Sequence, residues 1–231
     1  MVQRSDVEGY TFYNHRYGLT ILESRFKTAA TELYEALEGF KIKKSQIVAA
    51  GGGLSGIKSD LRKIFRQKGW TEKKFKAERT LNGLTHKTEF TIEHFRGESG
   101  EAGGVMLDIE WNAKDTAFDR SLEYLRRYHA LGAISLGILI TRGESLQEVL
   151  YDKICECFEE DEDLLNRKRK QFKVEDVRSY ENPIELTAKK YLASKYGSTT
   201  THWLKLLDRI HAGAGDPCPM VLVGIGDDRI V

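Results

Sequence analysis

Alternating apolar and polar positions in the middle of the chain predict two neighbouring strands. Phe90 and Ile92 form the apolar face of "KTEFTIEHF" (87–95), and "VMLDIEWNA" (105–113) continues the alternation. The stretch between them, "RGESGEAGG", is rich in glycine. The pair therefore predicts an antiparallel hairpin with a long loop.

Apolar residues at helical spacing predict helices over 19–38, 56–68, 116–132 and 199–213, and apolar runs predict strands over 133–141 and 219–226. The second hairpin strand, the next helix and the run 133–141 form a β-α-β unit, whose strands should be parallel. The stretch 71–83 is polar and predicts no buried strand, while 150–196 is highly charged. The predicted class is α/β: a central mixed β-sheet flanked by helices on both faces, with residues 1–231 in a single domain.

Composition narrows the function only a little. The 231 residues are 40% hydrophobic, and 36 Lys and Arg balance 35 Asp and Glu to a net charge of +1, which argues neither for nor against nucleic acid. No run approaches the roughly 20 apolar residues of a membrane helix. We therefore expect a cytoplasmic protein with no membrane partner.

A glycine motif near residue 50 gives only weak support for a nucleotide site. Gly51-x-Gly53-x-x-Gly56 formally matches the dinucleotide fingerprint, but no buried strand ending in an acid follows it. We expect no nucleotide cofactor. A glycine loop before a helix still favours an anion, including a nucleic-acid phosphate.

The polar face of the second hairpin strand carries the candidate chemistry. Alternation places Asp108, Glu110, Asn112 and Lys114 on one face, and a turn near Glu101 sets Glu93 opposite Glu110. Carboxylates without a histidine or cysteine cluster favour a hard ion such as Mg²⁺. The competing interpretation is an exposed acidic face satisfied by Lys and Arg neighbours.

Four segments of the chain are similar to one enzyme family. They are "IEWNAKDTAF", "YNHRYGLTILESRFKTAATELYEAL", "GGLSGIKSDLRKIFRQKGW" and "DRIHAGAGDPCPMVLVGIG". Together they resemble, in the same order along the chain, the BglII/BstYI group of type II restriction endonucleases in the PD-(D/E)XK nuclease superfamily.

The resemblance implies a mixed-sheet nuclease core with its metal site on the hairpin, and a homodimer around double-stranded DNA. Glu110 matches the metal-binding acid of the second strand. Asn112 stands where the group has Gln and is expected to orient a water, with Lys114 supplying the positive charge. Glu93 is the expected first-strand acid, and Asp108 is its rival. The implied catalytic residues are thus Glu93, Glu110, Asn112 and Lys114, and the implied Mg²⁺ ligands are Glu93, Asp108 and Glu110.

The resulting hypothesis is a Mg²⁺-dependent endonuclease that cuts duplex DNA at a short palindrome. A DNA-binding protein without cleavage and a repair nuclease are the alternatives. The helix at 117–131 is a candidate for dimer packing or, equally, for an ordinary core helix. DNA contacts are expected from the loop "AAGGGLSG" and from 176–202, with these basic candidates: Lys58, Arg178, Lys189, Lys190 and Lys195.

Overall fold

The computed structural model describes residues 7–49, 56–174 and 182–231. The helices in those ranges are α1 (Gly18–Arg25), α2 (Lys27–Gly39), α3 (Lys44–Ile47), α4 (Gly56–Gln67), α5 (Thr116–Ala130), α6 (Glu144–Glu160), α7 (Glu162–Gln171), α8 (Pro183–Tyr196) and α9 (Trp203–His211). The strands are β1 (Tyr10–His15), β2 (Thr71–Leu81), β3 (Leu84–Gly97), β4 (Gly104–Glu110), β5 (Leu136–Arg142) and β6 (Met220–Ile225).

The six strands form one mixed sheet in the order β1-β6-β5-β4-β3-β2. Strands β4, β5 and β6 are parallel, while β1, β3 and β2 pair antiparallel with their neighbours. The parallel pairing of β4 with β5 through α5 confirms the predicted β-α-β unit. The apolar run that forms β5 is buried along its whole length, as a central parallel strand requires.

Helices cover both faces of the sheet, which confirms the predicted α/β architecture. On one face, Leu107 and Ile109 of β4 pack into the core formed with α1, α2, α4 and α6. On the other face, Met106 packs with α5 and α9. The apolar stripe of α5, including Phe118 and Leu122, lies in this second core, so that stripe serves the core of its own chain.

The predicted helix over 19–38 is wrong as a single element. Phe26 takes a non-helical conformation, with φ −120° and ψ 56°, and divides it into α1 and α2. The side chain of Phe26 is 1% exposed. Tertiary packing of this ring therefore overrides a periodicity that runs through the break.

The polar stretch 71–83, which predicted no buried strand, contains the exposed strand β2. It pairs with β3 from Leu81↔Leu84 to Thr71↔Phe95, around a turn in which Asn82 and Gly83 both have positive φ. A two-residue Asn-Gly turn matches the twist of a hairpin. The strand was missed because its side chains alternate without burial on either face.

The charged region 150–196 holds most of α6, all of α7 and α8, and residues 175–181, which lie outside the described ranges. Residues 50–55 of the glycine loop and Arg178 also lie outside them. No helix in the described parts of the chain is long and apolar enough to cross a membrane.

Candidate active site

A cavity of about 380 Å³ opens between α4, α5 and the strands β3 and β4. Its acidic lining residues are Glu93 from β3 and Asp108 and Glu110 from β4. Its basic lining residues are Lys58 and Arg62 from α4 and Arg120 from α5. The cavity therefore brings together three of the acids that the sequence singled out and surrounds them with cations.

Asp108 and Glu110 form a connected pair through one serine. Ser121 donates a hydrogen bond to Asp108 Oδ2 at 2.6 Å, and its Oγ lies 3.3 Å from Glu110 Oε1. The backbone N–H of Ile109 donates to Asp108 Oδ1 at 2.8 Å. These contacts fix two carboxylates of one strand side by side, as the alternation of β4 predicts.

Glu110 is a buried anion with incomplete compensation. Its side chain is 2% exposed, and the nearest cations are Arg120 at 3.5 Å and Lys58 at 3.6 Å. Burial and, after it, the charge of Asp108 raise the pKa of Glu110 above its usual range. Because a buried carboxylate beside another is unfavourable, this pair is suited to a further cation.

The cations come from helices that sequence reasoning did not connect with the strand. Lys58 and Arg62 are four residues apart on α4 and therefore share one face of that helix. Arg62 forms an ion pair with Glu93. Lys58 was expected to contact DNA, and the structure places it beside Glu110; the amphipathic pattern of α4 gave no signal for that position.

Glu93 lines the cavity but stands apart from the other two acids. Its side chain is 62% exposed, and within the described ranges no three His, Cys, Asp or Glu side chains cluster closely enough to hold a metal ion. The predicted register is also wrong: it implies Phe95 opposite Asp108, whereas Phe95 pairs with Met106, and the pairing of β3 with β4 ends there. The turn lies one residue earlier than predicted, which shifts the pairing by two.

His94, next to Glu93, was not recognised from the sequence. Its side chain is 2% exposed, and its Nε2 has no hydrogen-bond partner among the described residues. Burial, followed by the positive charge of Arg62, lowers the pKa of His94 to about 4. The imidazole is therefore neutral at pH 7 and adds no positive charge near Asp108.

Asn112 and Lys114 do not continue the acidic face, contrary to the predicted alternation. Strand β4 ends at Glu110, and Asn112 turns the chain with a positive φ of 54°. Asn112 then lies 3.5 Å from the buried Arg142, and Lys114 forms a backbone bridge with Thr200. Asparagine tolerates this left-handed conformation, so the residue that ends the strand also ends the alternation.

The remaining basic candidates lie on α8, which packs against α6 and α7. Lys189 pairs with Glu185 at 3.7 Å, and Lys190 donates to the carbonyl of Phe172 at 3.3 Å. Lys195 is half-buried on the same helix. None of these three lysines lines the cavity that holds Glu110.

The sheet and the cavity together define the class of protein. Two adjacent carboxylates on a hairpin strand, ringed by Lys and Arg side chains, form a site that can hold a hard cation and attract a phosphodiester. A mixed sheet with helices on both faces is the architecture of the restriction-endonuclease-like core.

Comparison with known families identifies the chain more closely. The model of the restriction endonuclease BglII/BglIII family matches residues 10–225, and the chain belongs to that family. It is therefore a site-specific deoxyribonuclease that binds duplex DNA. A comparison with curated proteins finds no match.

Proposed function

We propose that this chain is a Mg²⁺-dependent type II restriction endonuclease that acts as a homodimer on a short palindromic sequence. One observation carries the proposal: Glu110 is buried beside Asp108 in a cavity ringed by three cationic side chains. A two-fold enzyme reads a two-fold site, so palindrome and homodimer belong together.

The donor set of the cavity fits Mg²⁺. Mg²⁺ in proteins takes one or two carboxylates and completes its shell with waters and substrate phosphate oxygens. Asp108 and Glu110 provide two such carboxylates, already aligned by Ser121. Glu93 joins them in the proposal as a third acid that lines the same cavity, and it would exchange its ion pair with Arg62 for the metal.

The chain's own residues would then position and stabilise the reacting phosphodiester. A bound Mg²⁺ supplies an activated water and polarises the phosphate. Lys58 and Arg120 stand where they can stabilise the negative charge that develops on the phosphate oxygens. Ser121 keeps both carboxylates oriented.

Asn112 and Lys114 stay predictions as catalytic residues. Their positions beyond the end of β4 give the roles implied by the family resemblance no support. Lys189, Lys190, Lys195 and Arg178 likewise stay predictions as DNA contacts. The variants Asn112→Ala and Lys114→Met test these catalytic roles. Loss of cleavage in a variant that still folds would support the role of the residue that was replaced.

The test is cleavage of a phage genome by the purified chain, with Mg²⁺ or with EDTA. The variants are Asp108→Asn and Glu110→Gln, and the matched control is Glu123→Gln, an exposed acid of α5 that pairs with Arg126. We expect discrete fragments from the wild type and the control with Mg²⁺, and none with EDTA. Each cavity variant should lose about 10³-fold in rate.

Two further measurements complete this test. Calorimetric titration with Mg²⁺ should show binding to the wild type and Glu123→Gln that is weakened in Glu110→Gln. Light scattering should give the mass of two chains. Cleavage at the wild-type rate by either cavity variant would show that the metal binds elsewhere, and intact DNA in every lane would overturn the proposed Mg²⁺-dependent cleavage.

A further inference from the structure

The hairpin of β2 and β3 forms an arm, defined here as residues 71–95, that extends beyond the rest of the sheet. Strand β3 pairs with β4 only from Phe95 to Gly97 but pairs with β2 along nearly all its length. A column of four near-parallel rings joins the arm to α5. The rings are Tyr124, Tyr128, Phe90 and Phe75, with successive centroids 5.6, 4.1 and 5.4 Å apart.

The charged side chains on the two faces of the arm differ in whether they form ion pairs. On the outer face, Lys76 pairs with Glu89 at 3.0 Å and Lys87 pairs with Glu78 at 2.9 Å. On the face toward α5, Arg79 lies directly opposite His86, and neither forms an ion pair or side-chain hydrogen bond within the described residues. Two basic side chains opposite each other add nothing to hairpin stability.

A groove of about 480 Å³ separates this inner face from α5. Four basic side chains line it, Arg79 and His86 from the arm and Arg126 and Arg127 from α5, and no acid of the described residues does. Arg126 already pairs with Glu123, whereas Arg127 forms no ion pair among the described side chains. Such a lining favours an anion.

The groove continues the candidate active site along one stripe of α5. Arg120 and Tyr124 line the cavity of Glu110, and Arg127 and Leu131 line the groove. Arg120 and Arg127 lie seven residues apart, so they share a face of the helix about 10 Å apart along its axis. A distance of this size is spanned by a few phosphates of one DNA strand.

We infer that this groove binds the DNA backbone a few phosphates away from the scissile one, through Arg79 and Arg127. The inference rests on the proposed function for the position of the cut. Contacts of this kind position the duplex and carry no sequence information. The aromatic column holds the arm in place, so the groove is formed before DNA arrives.

The test is the salt dependence of binding, measured in EDTA by fluorescence anisotropy with a labelled 30-bp duplex of arbitrary sequence. The variants are Arg79→Gln, Arg127→Gln and the double variant, and the control is Lys41→Gln, an exposed charge on the loop after α2. Each phosphate that is no longer neutralised should lower the magnitude of the slope of log affinity against log salt by about 0.9. In the proposed homodimer each substitution is present twice, so the magnitude should fall by about 1.8 in a single variant and by about 3.6 in the double variant. The control should keep the wild-type slope.

Steady-state cleavage of the phage genome gives a second readout. The double variant should keep the wild-type kcat and raise KM, because the groove binds DNA away from the reacting phosphate. A wild-type salt slope in the double variant would overturn the inference. So would a change in its mass by light scattering, which would make the groove an interface between copies.

These outcomes separate the inference from the proposed function. If the wild type leaves phage DNA intact with Mg²⁺ while the slopes fall, the cleavage proposal fails and the groove still binds phosphates. If the wild type cuts DNA and the variants keep the wild-type salt slope, only the inference about the groove is overturned.

Discussion

Glu110 and Arg229 are both buried charges, but their surroundings differ. Arg229 is 7% exposed and donates hydrogen bonds to the carbonyls of Leu37 and Glu38 at 3.2 and 2.7 Å. Both carbonyls belong to the last turn of α2, where intrahelical donors run out. That of Leu37 also accepts from the Tyr10 hydroxyl at 2.7 Å and from the Phe40 N–H at 3.2 Å. Arg229 thus satisfies a helix C-terminus and is itself satisfied.

Glu110 has no comparable set of partners among the described residues. Its neighbour Asp108 carries the same charge, and its two cations stand at 3.5 and 3.6 Å, beyond good hydrogen-bond geometry. The difference teaches how to separate structure from function among buried charges. A buried charge with well-formed hydrogen bonds stabilises the fold. A buried charge without such partners indicates a ligand-binding site.

The strongest test of this contrast is to remove each charge and measure the free energy of unfolding. Arg229→Met should lose about 3 kcal/mol, because the carbonyls of Glu38 and Phe40 lose their donor. Glu110→Gln should lose none, since it relieves the repulsion from Asp108. Chemical denaturation measures both, with the exposed Arg25→Met as the control for Arg229.

In the cleavage assay, Glu110→Gln should lose more activity than Arg229→Met. Folded Arg229→Met should cut DNA at the wild-type rate, because Arg229 lies away from the cavity residues. A large loss of stability in Glu110→Gln would show that Glu110 is a structural residue and would remove the contrast.

A second prediction sharpens the role of the cations around Glu110. Lys58→Met should lower kcat by about 10²-fold, because Lys58 stands beside the carboxylate where phosphate charge develops. Lys63→Met is the matched control, an exposed lysine of the same helix that does not line this cavity. A saturating concentration of DNA should not restore the cleavage rate of Lys58→Met. A variant that changes only KM would return Lys58 to the simple DNA contact that the sequence indicated.

The sequence was sufficient for the elements whose burial is asymmetric or complete. Strand β5 and helix α5 were predicted because their apolar positions leave a clear pattern, and their β-α-β connection then fixed the parallel pair. Strand β2 was missed because an arm exposed on both faces leaves no such pattern. The break at Phe26 was missed for the opposite reason, since the apolar spacing continues through it.

The candidate site was predictable only along its strand. Asp108 and Glu110 follow from alternation, but their partners Ser121 and Lys58 come from helices whose placement on the sheet no local pattern specifies. The position of Glu93 depends on where the loop after β3 turns, and an error of one residue there shifts the register by two. Asn112 was misplaced because a single left-handed residue ends the alternation.

The smallest expected effect concerns a charge with good partners at the surface. Asp216 accepts hydrogen bonds from Arg16 at 2.6 and 2.8 Å and lies 2.7 Å from His15 Nε2. The hydrogen bond from Arg16, and then that from His15, lower the pKa of Asp216 below its usual 3.8. A depressed folded-state pKa stabilises the protein above the unfolded pKa, and this stability is lost as pH falls through the folded pKa. Because the side chain is 34% exposed, solvent screening limits the gain to less than about 1 kcal/mol.

Asp216→Asn should therefore lower the free energy of unfolding by a small amount at pH 5, above the range in which Asp216 itself takes up a proton. Below about pH 4 the difference from the wild type should shrink, because the unfolded wild type binds a proton that the folded state still excludes. Urea denaturation at a series of pH values measures this difference directly. If the difference instead grew below about pH 4, the Asp216 carboxylate would be destabilised in the folded state. Good local partners would then no longer distinguish a structural charge such as Arg229 from a functional one such as Glu110.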